Sequence, residues 1–231
     1  MPFALGLSRR LTGANVGPSP EPAESRPPDL AAELRVLRSR QLLLAMLFAA
    51  LINGGTFAAF TFLAPVATGV AGLGAAWIPV VLVLFGAGSF LGVMIAGRLS
   101  DRQPGLVIGV GGPLLAAGWA ALALLAAHPV AFLSLVLAQG VLSFAVGSTL
   151  ITRVLYAATA APTTGGSYAA AALNIGATAG PALGAAALTT RAGATAPIWI
   201  AAELTAVALA ARFSPWWTES RCSEPIKRPR R

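Results

Sequence analysis

One cysteine, one histidine and a charged fraction of only 10% leave this 231-residue chain little with which to do covalent or metal chemistry. Cys222 has no partner for an intrachain disulfide and no CxxC neighbour, which excludes redox and thiolate-metal signatures. His128 stands alone, with no metal-ligand spacing around it, and no phosphate-cradling glycine loop carries a lysine. No paired carboxylates occur either, so the reading is of a chain that is not an enzyme and carries no metal or organic cofactor. The first apolar run after Arg9 and Arg10 begins only at Leu42, the wrong order and spacing for a signal peptide or a twin-arginine export signal.

What the chain has in excess is apolar length: 56% of its residues are hydrophobic. A hydrocarbon core about 30 Å thick needs roughly 20 apolar residues per helical crossing. Six stretches of that order read as spans, at 42–64, 76–97, 106–127, 130–151, 167–189 and 196–213. The predicted fold is therefore an all-α integral membrane protein of six transmembrane helices. Residues 1–41 form a Pro-rich linker with a short amphipathic helix, 42–213 the membrane domain, and 214–231 a basic tail.

The net charge of +8 is distributed in the loops and at the two ends, not on one folded face, which argues for lipid headgroups and against nucleic acid as the partner. Of the sixteen Lys and Arg residues, Arg191 alone falls on one side of the predicted topology, so both termini are expected in the cytoplasm. Trp77, Trp199, Trp216 and Trp217 lie near predicted span ends, where an amphipathic ring suits headgroup depth, and Trp119 lies deeper. In DLAAELRVLRSRQ, Leu30, Leu34 and Leu37 recur at helical spacing after Asp29, a candidate N-cap. That segment reads either as a helix lying on the membrane surface or as a solvated lead-in to the first span.

The turn after the second span runs Gly97-Arg98-Leu99-Ser100-Asp101-Arg102. This G-x-L-x-D-R wording resembles the loop signature of the major facilitator superfamily, found between its second and third helices and again between the eighth and ninth. Six spans with this turn after the second match one half of such a twelve-helix transporter, itself two three-helix inverted repeats. The resemblance implies the C-terminal half: a charged segment leads into the first span, and Val136 stands where the family's other half has an arginine before the Gln139-Gly140 pair. The stretches LLLAMLFAALINGGTFAAFTFLAPV and TRVLYAATAAPTTGGSYAAAALNIGATAGPALGAAAL are similar to drug/proton antiporters of actinobacteria, most of all their chloramphenicol-resistance members, with sugar exporters as near neighbours. The resemblance covers about Asp29 to Phe213.

It implies a bacterial plasma-membrane exporter of a small hydrophobic drug, driven by the proton gradient. Asn53, Thr56, Phe57, Phe60 and Thr61 of the first span, with Gln139, Ser143 and Asn174, become candidates for the substrate cavity. Polar side chains in lipid must find a partner or a water-filled cavity, so bonding between helices is the competing reading of Asn53 and Gln139. Gly97, Arg98, Asp101 and Arg102 would form a conformational lock. Gly176, Gly180, Pro181 and Gly184 would pack helices closely and gate. Glu203, an acid deep within a span, is expected to be neutral and bonded to a neighbouring helix, with proton coupling as the other reading. A single half cannot enclose a cavity made between two, so the chain is expected to need an N-terminal half or a second copy. A truncated product without activity and a membrane anchor or regulatory partner are the other readings.

Overall fold

The computed structural model describes residues 30–99 and 104–212. Asp29, Asp101, Arg102 and the tail with Trp216 and Trp217 lie outside the described residues. All regular structure in the described residues is helical: α1 (Leu30–Arg35), α2 (Arg40–Thr61), α3 (Leu63–Gly69), α4 (Ile78–Leu99), α5 (Pro104–Leu125), α6 (Pro129–Ala157), α7 (Gly165–Ala187) and α8 (Ala196–Arg212), with single 3₁₀ turns between some of them. Five helices have both the length and the apolarity to cross a membrane. The sixth, α7, has the length, at 23 residues, but consists mostly of alanine and glycine with a few polar residues. Its suitability as a span comes from what it packs against.

The first predicted span is divided at Phe62, between α2 and α3. Pro65 explains the division: it has no N–H to give the carbonyl of Thr61, and its ring crowds that carbonyl. The Phe62 N–H turns instead to the carbonyl of Ala59, and helix resumes. Pro113 and Pro181 are absorbed without a break in α5 and α7. Pro104 and Pro129 open their helices, where the missing N–H would have no intrahelical partner.

The two tightest glycine-lined backbone contacts between helices are copies of each other. On α7, a β-carbon added at Gly176 or Gly180 would run into the carbonyl oxygens of Ala50 and Gly54 in α2. On α4, a β-carbon at Gly88 or Gly92 would run into those of Leu137 and Val141 in α6. The glycines are one helical turn apart in both pairs, and so are the carbonyls they meet. Shifts along the chain that are equal to within a residue and opposite in sense on the two sides carry the first contact onto the second, as an exchange of two repeats would.

The remaining packing obeys the same exchange. α2 lies against α8 as α6 lies against α5, while α2·α6 and α5·α8 map onto themselves. That is the pattern of two three-helix repeats, α2, α4, α5 and α6, α7, α8. Without a hydrophobic force between helices in lipid, such small-residue contacts are what brings them together.

The outer surface fits the same solvent. Val83, Phe90, Leu124, Val130 and Ile175 are all exposed, as suits contact with acyl chains. Large side chains fill the interior, among them Trp119, Phe132, Leu115 and Leu122. Trp119 is fully buried, in keeping with its depth in the sequence, and Trp77 is exposed at the start of α4.

Candidate functional site

A cleft of about 270 Å³ opens among α2, α4 and α6. Its walls are Thr56, Phe57 and Phe60 of α2, Leu82, Phe85, Gly86 and Ser89 of α4, and Phe144 of α6. It lies in the last turns of α2 and the first half of α4, toward the end of the bundle opposite α1.

Four phenyl rings form a continuous ladder there. Phe57 and Phe60 meet edge to face at 6.3 Å, Phe60 and Phe85 are tilted at 4.9 Å, and Phe85 and Phe144 meet edge to face at 6.2 Å. Rings in these geometries attract by about 0.5–1.5 kcal/mol per pair beyond the area they bury, so the wall is self-supporting. Gly86 leaves the gap: nothing lies within 4 Å of where its β-carbon would be.

The polar content is two hydroxyls, both already committed as donors. Thr56 Oγ1 donates to the carbonyl of Ile52 at 2.9 Å, and Ser89 Oγ donates to that of Phe85 at 2.8 Å. Each keeps lone pairs to offer a ligand's donor. None of the lining residues is charged.

Of the residues singled out in sequence, Thr56, Phe57 and Phe60 come together in this cleft, and the others lie elsewhere. Asn53 donates from Nδ2 to the carbonyl of Leu173 in α7 at 2.7 Å, and Gln139 donates from Nε2 to that of Leu115 in α5 at 3.1 Å. Both amides therefore bond neighbouring helices. Ser143 is buried one turn from Gln139 in α6, and its Oγ, Gln139 Oε1 and Trp119 Nε1 have no partner among the described residues. Thr61 is exposed and bonded back to Phe57, while Asn174 is exposed on α7.

Gly176, Gly180 and Gly184 all face inward from α7; Gly184 lies against Phe62 and Pro197. Pro181 is half-buried next to them. Gly97 and Arg98 are exposed at the end of α4, and their partners in the turn, Asp101 and Arg102, lie outside the described residues.

Glu203 departs from expectation. It is exposed on α8 and makes no hydrogen bond to a neighbouring helix among the described residues. The adjacent Leu204 takes the inward position against Gly54.

Five positions on the cleft were not singled out in sequence. Leu82, Phe85, Gly86, Ser89 and Phe144 sit in runs so largely apolar that no sequence signal marks which face turns inward.

A second polar cluster also went unread. Glu33 of α1, 5% exposed, reaches the turn before α7. Its carboxylate accepts from Thr163 Oγ1 at 2.6 Å on both oxygens, from Thr164 Oγ1 at 2.7 Å and from the Thr164 N–H at 2.9 Å. Tyr168 donates its hydroxyl to the Glu33 carbonyl at 3.0 Å. The Thr163 and Thr164 hydroxyls hold the carboxyl below its ordinary pKa, against the opposing effect of desolvation. α1 is thus fastened to the turn before α7 by the Glu33 side chain.

Comparison with known proteins settles the lineage. The family model described as Major Facilitator Superfamily matches residues 4–171. The chain belongs to the major facilitator superfamily. That match begins well before Asp29, where the resemblance read from motifs begins, and stops within α7.

Among curated relatives, a chloramphenicol resistance protein of Streptomyces lividans is 56% identical over 213 residues, covering 92% of this chain and 53% of the relative. The inner membrane transport protein YdhP of Escherichia coli (strain K12) is 30% identical over 69% of this chain and 41% of its own length. An uncharacterized MFS-type transporter, YtbD, of Bacillus subtilis (strain 168) is 32% identical over 102 residues. The chain spans about half the length, or less, of these relatives. No solved structure matches it. The six helices are accordingly one half of a major facilitator fold, in a multi-pass membrane protein.

Proposed function

We propose that this chain is the C-terminal half of a proton-coupled exporter of small, uncharged aromatic drugs of the chloramphenicol kind. In this reading it lies in a bacterial plasma membrane with both termini in the cytoplasm. The aromatic cleft is its share of the drug site, and a first six-helix half, or a second copy of the chain, closes the other side.

The observation that carries the reading is the ladder from Phe57 to Phe144 around the gap at Gly86. A flat ring slides into such a gap with its faces and edges matched to the rings around it. The same wall speaks against a sugar, whose hydroxyls would be left unpaired against phenyl rings with only Thr56 and Ser89 to meet them. Likeness to the Streptomyces lividans protein agrees with this choice.

Coupling would follow from rocking of the two halves about a mid-membrane site. Glu203 does not line the cleft, so in this account the drug and the proton do not compete for it.

The test is a chimaera in which the first half of the Streptomyces lividans relative is joined ahead of this chain. Cells expressing it should accumulate less chloramphenicol than cells without it, and a protonophore should abolish the difference. Unchanged accumulation, with the chimaera present in the membrane, would remove the drug assignment.

A further inference from the structure

We propose that Glu33 is a positioning residue for transport: it clasps the segment leading into α2 to the first turn of α7, so that α1, α2 and α7 travel as one body. This rests on the exporter reading above.

The clasp is dense for so short an element. One carboxylate collects a backbone N–H and two hydroxyls from consecutive residues, and the Glu33 carbonyl takes a third hydroxyl one turn into α7. The carboxylate sits where α7 begins, beside Thr164, the residue that precedes its first turn. Unpaired N–H groups and the positive end of the helix dipole both favour an anion there.

α1 itself has six residues and could not hold its place by helix formation alone. Its attachment comes from these bonds, made to residues about 130 positions further along the chain.

Deeper in the bundle α7 is joined to α2, the helix into which α1 leads. Asn53 of α2 bonds the carbonyl of Leu173 in α7, and Gly54 lies backbone to backbone with Gly176 and Gly180. Fastened to α1 at its first turn and to α2 deeper in the bundle, α7 is held to one continuous stretch of chain at two depths. A displacement of α1 is then passed to α7 through Glu33.

Two readouts test this. In the whole chain reconstituted in lipid nanodiscs, Glu33→Ala should speed hydrogen–deuterium exchange of the Thr164 amide about tenfold, the scale of a lost hydrogen bond to a charged group, and Glu33→Asp should restore part of the protection. In the chimaera, Glu33→Gln should lower the maximal export rate severalfold while leaving the half-saturating drug concentration unchanged, and Glu33→Asp should recover part of that rate.

Exchange unaltered by Glu33→Ala would overturn the clasp. Faster exchange with an unaltered export rate would overturn the transport role and leave a purely structural one. A shift in half-saturation at constant maximal rate would overturn it too, because it would make Glu33 a substrate-binding group. A parent chimaera that moves no drug overturns the exporter reading and the transport role together, while the exchange experiment still decides the clasp.

Discussion

Phe60 of α2 and Phe85 of α4 lie with ring centroids 4.9 Å apart, and this pair joins the two halves of the aromatic ladder. Phe60 also meets Phe57 within its own helix, so it has neighbours on both sides. Phe60→Ala should therefore weaken drug binding more than any single loss at the ends of the ladder. Loss of one ring contact with the drug, about 0.5–1.5 kcal/mol, corresponds to a rise of roughly two- to tenfold in half-saturating concentration, and slackening of both neighbouring rings adds to it. Dose–response curves of export for Phe60→Ala and Phe144→Ala in the chimaera check the order.

Gly180 of α7 has the carbonyl group of Gly54 where a side chain would begin. The atoms that block it are backbone and cannot swing aside. Gly180→Val should cost about 1–3 kcal/mol or part α7 from α2. Gly147→Ala is the control, since nothing lies within 4 Å of that β-carbon. Replacing a glycine within a helix where space is open should be neutral or mildly stabilising. Thermal unfolding of the purified variants in detergent measures both.

Gln139 separates a packing role from a substrate role. Its amide bonds the carbonyl of Leu115 and lies outside the cleft. Gln139→Leu should cost about 1 kcal/mol of stability, the scale of an interhelical hydrogen bond in lipid, and leave drug export unchanged. Loss of export from a variant that is as stable as its parent would put Gln139 in contact with the drug.

The Glu33 clasp has a definite response to pH. Its carboxyl pKa is lowered from the ordinary 4.5 because the Thr163 and Thr164 hydroxyls bond the ionised form. A depressed pKa means that the contribution is fully present above 4.5 and fades as pH falls through the lower, folded-state value. The clasp should thus stay closed between pH 6 and 8, so it does not act as the proton-coupling group. A carboxyl ¹³C titration, assigned with Glu33→Gln, should find Glu33 ionised throughout that range.

Much of the fold was legible because lipid imposes it. The number and length of the apolar stretches gave six helices, and glycine spacing in NIGATAGPALG marked the face of α7 that meets α2. The division at Phe62 was not read, although Pro65 is in plain view, because a proline near a helix end can be absorbed as readily as it can break the helix.

The site was legible only in part, for a physical reason. Thr56, Phe57 and Phe60 stood out as polar or aromatic residues in an apolar run, but VLVLFGAGSF has no polar stripe to orient it. Which side of α4 faces α2 and α6 is set by Gly88 and Gly92 packing against α6, and that pairing is tertiary. Asn174 and Glu203 show the converse. Each is conspicuous in sequence, yet both face outward because small or apolar neighbours such as Gly176 and Leu204 take the inward positions. Glu33 was hidden by distance along the chain, since its partners at Thr163 and Thr164 form no local pattern with it.

The most direct test of the central claim is drug protection at Gly86. With Cys222→Ser to remove the native thiol, Gly86→Cys places a reporter in the gap of the aromatic cleft, its β-carbon more than 4 Å from any neighbouring atom. The rate of maleimide labelling is then measured in the chimaera with and without drug. Chloramphenicol should slow labelling in a saturable way, and arabinose should not. Labelling that is indifferent to chloramphenicol in a chimaera that still exports it would place the drug elsewhere and contradict the account.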